Sequence, residues 1–229
     1  MYLCKKKGVD KKIRQTSDGS HTLYVAEIDE TYHSTHGAIQ ESMHIFIDSA
    51  LRKCRLNQIR ILEIGFGTGL NALLTKQEAD LNGYTIHYTT LEKFPVRMEL
   101  VAALNYASLT TVVAGADFFN EIHQAPWNTT VQVASNFELH KVECDFTQFE
   151  SALNQFDVIY FDAFSPDKQP EMWTVEQFSR IYDWCAPQAV LSTYCAKGIV
   201  RRALQQVGFE VERLPGPPGK REILRATKI

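Results

Sequence analysis

Ile61-Leu62-Glu63-Ile64-Gly65-Phe66-Gly67-Thr68-Gly69-Leu70-Asn71 is an apolar run that ends in an acid and opens into three alternate glycines. It reads as a buried strand, a tight turn and the start of a helix. Alternate glycines let backbone approach a ligand closely, and the free amides of a helix start favour electron-rich ligand atoms. A nucleotide-like cofactor suits such a loop, while a strand-to-helix turn that binds nothing stays open on the motif alone. The spacing G-x-G-x-G, with Glu63 two residues before Gly65, departs from the G-x-G-x-x-G of dinucleotide folds.

Outward from this loop, strands and helices alternate. Strands are expected at 59–64, 85–91, 157–161 and 190–194, and helices after Gly69, Pro95 and Pro170 and from Lys197. Two closing strands are expected near 209–214 and 223–227. Such alternation implies right-handed crossovers and an α/β sheet covered by helices on both faces. Ahead of 157 lies a less regular insertion, in which 131–134 and 137–142 flank Ser135-Asn136 as an extra hairpin. Upstream, segments such as Thr22-Leu23-Tyr24-Val25 suggest a small hairpin, followed by a helix from about Ile39. Residues 1–50 are therefore expected to be an N-terminal β/α appendage, residues 51–229 the main domain, and the whole a single domain.

Three acids fall where ligands bind in such sheets, beyond the carboxyl ends of strands. Glu92 follows a strand and lies 23 residues past Gly69, close to the spacing at which an acid meets ribose hydroxyls. Asp145, after the 139–142 strand, is placed to accept from an exocyclic amine such as that of adenine. Asp162 ends the apolar Val158-Ile159-Tyr160-Phe161 run and begins a loop that continues to Pro170. Each acid has a plainer reading as a helix cap or a solvated loop carboxylate. Together with the first loop they suit S-adenosylmethionine, which carries a cationic sulfonium and amino group and no pyrophosphate.

Composition fits one catalytic domain: 229 residues, 45% hydrophobic and 22% charged. The lysine-rich start lacks an apolar core and no run is long enough to span a bilayer, so a cytoplasmic protein without membrane association is expected. The five cysteines (Cys4, Cys54, Cys144, Cys185, Cys195) are odd in number and never in C-x-x-C spacing, which suggests neither disulfides nor zinc. His33, His36 and His44 lack a metal-ligand set, because Glu41 reads as a helix residue. Charge is uneven. Residues 1–14 carry six Lys/Arg against one acid and residues 197–229 eight against three, so each end is +5 around a −13 middle. Basic ends of this kind, including Lys5-Lys6-Lys7, can meet a phosphate backbone or be solvated surface.

Four motifs carry a specific resemblance. They are Gly65-Phe66-Gly67-Thr68-Gly69-Leu70-Asn71, Glu92-Lys93-Phe94-Pro95, Asp162-Ala163-Phe164-Ser165-Pro166-Asp167-Lys168-Gln169-Pro170-Glu171-Met172-Trp173 and Lys220-Arg221-Glu222-Ile223-Leu224. Together they resemble the methyltransferase component of MnmC, also found free-standing as MnmD. Tyr32-His33-Ser34-Thr35-His36-Gly37-Ala38-Ile39-Gln40-Glu41-Ser42 is similar to that family's N-terminal motif. The match runs from about Tyr32 to the C-terminus. It departs from the family where Cys144-Asp145 replaces Gly-Asp and where Ala163 replaces a glycine.

The resemblance implies a Rossmann-like, class I S-adenosylmethionine-dependent fold. It also implies transfer of methyl to the amine of 5-aminomethyl(-2-thio)uridine at the tRNA wobble position. The cofactor set is then Glu63, Gly65, Phe66, Gly67, Thr68, Gly69, Asn71, Glu92, Lys93, Asp145 and Asp162, with Asp162 also the acceptor of the amine's proton. Tyr32, His33, Phe164 and Pro166 are expected on the substrate side, with Phe164 and Pro166 as an apolar wall for a flipped uracil. Arg201, Arg202, Lys220 and Arg221 are expected on phosphate, the last two presented outward by Pro215-Gly216-Pro217-Pro218-Gly219. Bifunctional family members add an FAD-dependent oxidase domain, which this chain is expected to lack. Two other classes stay open: an aminopropyl- or methyltransferase acting on a small amine, and a non-catalytic RNA-binding module.

Overall fold

The computed structural model describes residues 11–112 and 115–229, so Cys4 and the Lys5-Lys6-Lys7 run lie outside the described residues. The chain opens with β1 (Lys11–Gln15) and β2 (His21–Val25), paired antiparallel from Lys11↔Val25 to Gln15↔His21, and β3 (Glu30–Thr31) adds to β2. Asp18 organises the β1–β2 turn. Its Oδ1 accepts from the Ser20 amide (3.0 Å) and the Thr16 hydroxyl (2.7 Å), and its Oδ2 accepts from the Gln40 amide (3.0 Å). The hairpin is thereby tied to the start of α1 (Ala38–Ser42), which widens into a π-helical stretch over Met43–Asp48. Asn105 makes a second tie, accepting from the His21 amide and donating to the Gly19 carbonyl, both at 2.9 Å.

The main layer follows as β4 (Gln58–Ile64), α2 (Leu70–Asn82), β5 (Thr85–Glu92), α3 (Met98–Val101), α4 (Tyr106–Leu109), α5 (Gly115–Gln124), β6 (Thr129–Ala134) and β7 (Phe137–Glu143). It closes with β8 (Phe156–Phe161), α6 (Val175–Trp184), β9 (Cys185–Thr193), α7 (Gly198–Gln206), β10 (Phe209–Pro215) and β11 (Glu222–Lys228). Eight strands form one sheet in the order β10-β11-β9-β8-β4-β5-β7-β6. The β9-β8-β4-β5-β7 core is parallel, and β6, β10 and β11 run antiparallel to their neighbours.

Alternation along β4 decides the packing. Ile59 and Ile61 join one core with Phe46, Leu70, Leu73, Phe118 and Phe119 under α1, α2 and α5. Leu62 and Ile64 join the other with Trp173, Phe178, Trp184 and Leu204 under α6 and α7. A strand buried on both faces reads as mostly apolar, and Ile59, Ile61, Leu62 and Ile64 follow that rule, with Arg60 at the strand's start and the buried Glu63 as the charged exceptions. Chain order reverses between β4 and β8, so a crevice opens beyond the carboxyl ends of these strands.

Two expectations change. The 131–142 hairpin forms, but β7 pairs in parallel with β5 from Ile86↔Phe137 to Glu92↔Glu143, so it is a core strand of the sheet with β6 as its edge. The helix after Pro95 is only the single turn α3, and the longer cover on that side is α5, inside the stretch read as irregular.

Candidate active site

The loop after β4 is positioned by three glycines, each in the left-handed region: Gly65 at φ 98°, Gly67 at 51° and Gly69 at 73°. A Cβ at Gly65 would lie 2.7 Å from the Asp162 carbonyl oxygen, one at Gly67 3.0 Å from the Tyr32 ring, and one at Gly69 2.6 Å from His123 Nε2. Each glycine therefore admits a different wall: the end of β8, the N-terminal sheet and α5. Gly65 and Phe66 amides donate to the Leu91 carbonyl at 3.0 and 3.2 Å. Thr68 is gripped from two sides. His33 Nε2 lies 2.8 Å from its hydroxyl, and His123 Nε2 donates to its carbonyl at 3.1 Å. Burial holds both imidazoles down to about 4, so they are neutral at pH 7.

The loop borders a cavity of about 1080 Å³, lined by Gly65, Phe66, Gly67, Thr68 and Asn71 together with Glu92, Lys93, Asp145 and Asp162. Glu92 is fixed by the Gly67 amide on Oε2 (3.0 Å) and the Phe94 amide on Oε1 (2.8 Å). Asp145 has donors on both oxygens: Lys93 on Oδ2 at 2.6 Å, and the Thr147 amide and hydroxyl on Oδ1 at 3.0 and 2.8 Å. Burial works to raise this carboxyl, but those donors hold it below its ordinary range. Asp145 is thus the cap of the Phe146–Gln148 turn and the partner of Lys93, as well as a lining residue.

Asp162 differs. Its Oδ2 accepts from Asn71 Nδ2 at 2.9 Å, and Oδ1 has no protein donor among the described residues. Burial pushes it up to about 7, with Glu41 adding to the rise and Asn71 and Lys220 opposing it.

On the other side of the cavity the Tyr32 and Phe164 rings meet edge to face at 5.3 Å. Phe164 is pinned through its backbone, its amide donating to Gln169 Oε1 (3.1 Å) and its carbonyl accepting from Trp173 Nε1 (2.8 Å). Tyr194 donates to the Ala163 carbonyl at 2.9 Å and so holds the same loop from β9's end.

Several expected site residues stand elsewhere. Glu63 is fully buried in the β4 layer and off the cavity wall, its Oε2 accepting from Thr90 at 2.6 Å. The alternation of β4 turns it toward α2 and away from the crevice. Gly69 also stays off the wall, its place being the cap of α2 and the contact with His123. Pro166 is buried and is not part of the lining, although its neighbours Ser165 and Asp167 are. His33 reaches the lining, but its ring is spent on Thr68.

Lys220 is not presented outward. It turns in to Glu41 at 3.3 Å and lies over the Tyr194 ring at 4.8 Å. Arg202 and Arg221 are exposed and Arg201 half-buried, all three outside the cavity wall.

Sequence reasoning missed Glu41, Tyr194, His123 and Lys141. Glu41 lies three residues after Ala38 and four before Ile45, both buried, so helical spacing already put this acid on the apolar face. Lys141 is 1% exposed, donates to the His123 carbonyl (2.8 Å) and lies over the Trp127 ring at 4.6 Å. It fixes the end of α5 that carries His123. Among the described residues no group of three or more His, Cys, Asp or Glu side chains is arranged to hold a metal, and no helix is long and apolar enough to cross a membrane.

Comparisons with known proteins place the chain among S-adenosyl-L-methionine-dependent methyltransferases. The chain is 33% identical over 219 residues to the tRNA 5-methylaminomethyl-2-thiouridine biosynthesis bifunctional protein MnmC of Cupriavidus necator, covering 86% of this chain and 31% of that protein. It spans about a third of the length of the curated relatives it matches. Among solved structures it is similar to MNMC2 from Aquifex aeolicus, with a TM-score of 0.76, 25% identity and coverage of 98% of this chain and 72% of that one. A probable spermidine synthase from Corynebacterium glutamicum shares the fold at 18% identity and a TM-score of 0.53, covering 97% of this chain and 78% of that one. Residues 111–229, more than half the chain, match the family described as S-adenosyl-L-methionine-dependent methyltransferase, so the chain belongs to that family.

Proposed function

We propose that this enzyme transfers the methyl of S-adenosylmethionine to the amine of 5-aminomethyl(-2-thio)uridine at the wobble position of cytoplasmic tRNA, giving 5-methylaminomethyl(-2-thio)uridine. The observation that carries the reading is Asp162: one oxygen held by Asn71, the other free, at the border between the glycine loop and the Tyr32–Phe164 pair. The residues fit the cofactor. Close backbone at Gly65 and Gly67 and the fixed Glu92 carboxylate make a cradle for a nucleoside, with Glu92 to accept from ribose hydroxyls. Phe66, Thr68, Asn71, Lys93 and Asp145 complete that half of the cavity. When bound, the cofactor supplies a methyl group already activated by its cationic sulfur.

The chain's own task is then to orient a neutral amine and exclude water, which is worth up to roughly 7–11 kcal/mol of barrier. An aminomethyl group is largely protonated at neutral pH. Asp162 Oδ1 is the acceptor for that proton, and a carboxyl near 7 is matched to the work. A bound cation beside it favours its ionised form. Phe164, rigid through both backbone bonds, and Tyr32 wall the uracil. The names of the relatives support the tRNA substrate.

Asp162→Asn is the test. We expect roughly a 10²- to 10⁴-fold loss of kcat on undermodified tRNA, with cofactor affinity by calorimetry close to wild type. Full-rate methylation by this variant would remove Asp162 from the reaction.

A further inference from the structure

Glu63, Asn71 and Tyr88 contain an unresolved set of polar atoms. Glu63 Oε1, Asn71 Oδ1 and the Tyr88 hydroxyl are all buried and all without a hydrogen-bond partner, and the Asn71 and Tyr88 side chains both interact with Glu63. Buried polar atoms in folded proteins are paired almost without exception. An ionised Glu63 offers only acceptors, so it cannot satisfy Asn71 Oδ1. A single proton on Oε1 removes the conflict, since the acid then donates to Asn71 Oδ1 while Tyr88 donates to the acid.

We propose that Glu63 is a positioning residue that works as a neutral acid: it donates to Asn71 Oδ1, and so fixes the Asn71 amide with its NH₂ group on Asp162 Oδ2. The side chains around it agree. Thr90 on β5 and Tyr160 on β8 sit opposite Glu63 in register, Tyr88 comes from β5, Asn71 from α2 and Asp162 from the end of β8. None of these is a cation. Burial first, and then the Asp162 charge, raise Glu63 to about 8, with the Thr90 hydroxyl the leading donor that opposes the rise.

An amide has two orientations related by a flip, and only one leaves Asp162 able to act as a base. With Glu63 protonated, Asn71 donates to Asp162 Oδ2 at 2.9 Å and Oδ1 stays open to the cavity. With Glu63 ionised, the flipped amide donates to Glu63 and turns its oxygen on Asp162, which must then hold a proton itself. Glu63 keeps the proton at the far end of the relay. The inference rests on the reading of Asp162 as the acceptor of the amine's proton.

The test compares Glu63→Leu, Glu63→Gln and Asp162→Asn, with a direct readout of the acid's proton in the cofactor-bound protein. Protein labelled with ¹³C at the glutamate carboxyl carbons is titrated by NMR, and the Glu63 signal is assigned by its loss in E63Q. We expect that signal at the neutral-acid position at pH 7, moving as pH rises through about 8. Glu63→Leu should lose roughly ten- to a hundredfold in kcat, the range typical of an outer partner that orients a reactive group, with KM for the cofactor little changed. Glu63→Gln should rescue most of that loss, because its NH₂ replaces the proton as donor, and the wild-type decline in rate above pH 8 should vanish from it. An ionised Glu63 at pH 7, or E63Q as slow as E63L, overturns the inference. If E63L does not fold, the NMR signal and the E63Q profile decide alone. Asp162→Asn at full rate would sink the reading of Asp162 and leave the titration of Glu63 interpretable, so the two failures are told apart.

Discussion

A methyl group at Gly69 has nowhere to go: it meets His123 Nε2 at 2.6 Å on a backbone at φ 73°. Gly83 has nearly the same backbone, φ 71°, but open space around it. Gly83→Ala should therefore cost only the left-handed conformation, about 1–2 kcal/mol, without touching cofactor affinity. Gly69→Ala should cost more in urea unfolding and weaken cofactor binding as well. Equal effects of the two would mean that the His123 contact is unimportant.

His33 gives the acid limb of stability. Its folded value, depressed from 6.5 to about 4, means that the unfolded chain binds the proton more tightly. The contribution of neutral His33 is complete above pH 6.5 and is lost as pH falls toward 4, about 3 kcal/mol in all. His33→Asn should flatten that decline in pH-dependent unfolding. The acids at strand ends, Glu92 and Asp162, were legible because position along a strand reports which end faces the crevice. Glu63 was not, because one residue of alternation separates the cavity wall from the interior.

The N-terminal sheet acts as one wall of the cavity. Tyr32, just past β3, contacts both Phe164 and the Gly67 position, and Lys11 on β1 lies over its ring at 5.2 Å. An aromatic contact is worth about 0.5–1.5 kcal/mol, so Tyr32→Ala should weaken cofactor binding by up to about tenfold, and Tyr32→Phe much less. Calorimetry on both variants checks it. Most elements were readable from periodicity: β4, β5, β8, α7 and the closing β10–β11 pair fall within a residue or two of expectation. The role of β7 was not, since parallel pairing with β5 is a tertiary event that a short hairpin signal does not carry. The inward turn of Lys220 was equally hidden, because its partner Glu41 is distant in sequence and Gly216 and Gly219 determine where the chain re-enters.

Across the whole molecule, the cavity lining mixes Lys11, Lys93, Arg97, Lys168 and Lys220 with a larger number of acids, Glu92, Asp145 and Asp162 among them, so the phosphate-binding charge has to come from outside the wall. With Lys220 engaged inside, exposed Arg202 and Arg221 are the remaining C-terminal candidates for phosphate. Reversing both to Glu should weaken tRNA binding and lower the slope of log Kd against log salt by about 1 per lost phosphate contact, with cofactor affinity unchanged. An unchanged slope would take them out of the RNA interface.

The most direct measurement is methylation itself. Purified protein and labelled S-adenosylmethionine are incubated with tRNA from cells lacking this methyl group, and the tRNA is digested and its nucleosides identified by mass spectrometry. We expect 5-methylaminomethyl(-2-thio)uridine at the wobble position; protein that binds the cofactor yet leaves this nucleoside unmethylated would contradict the proposed substrate.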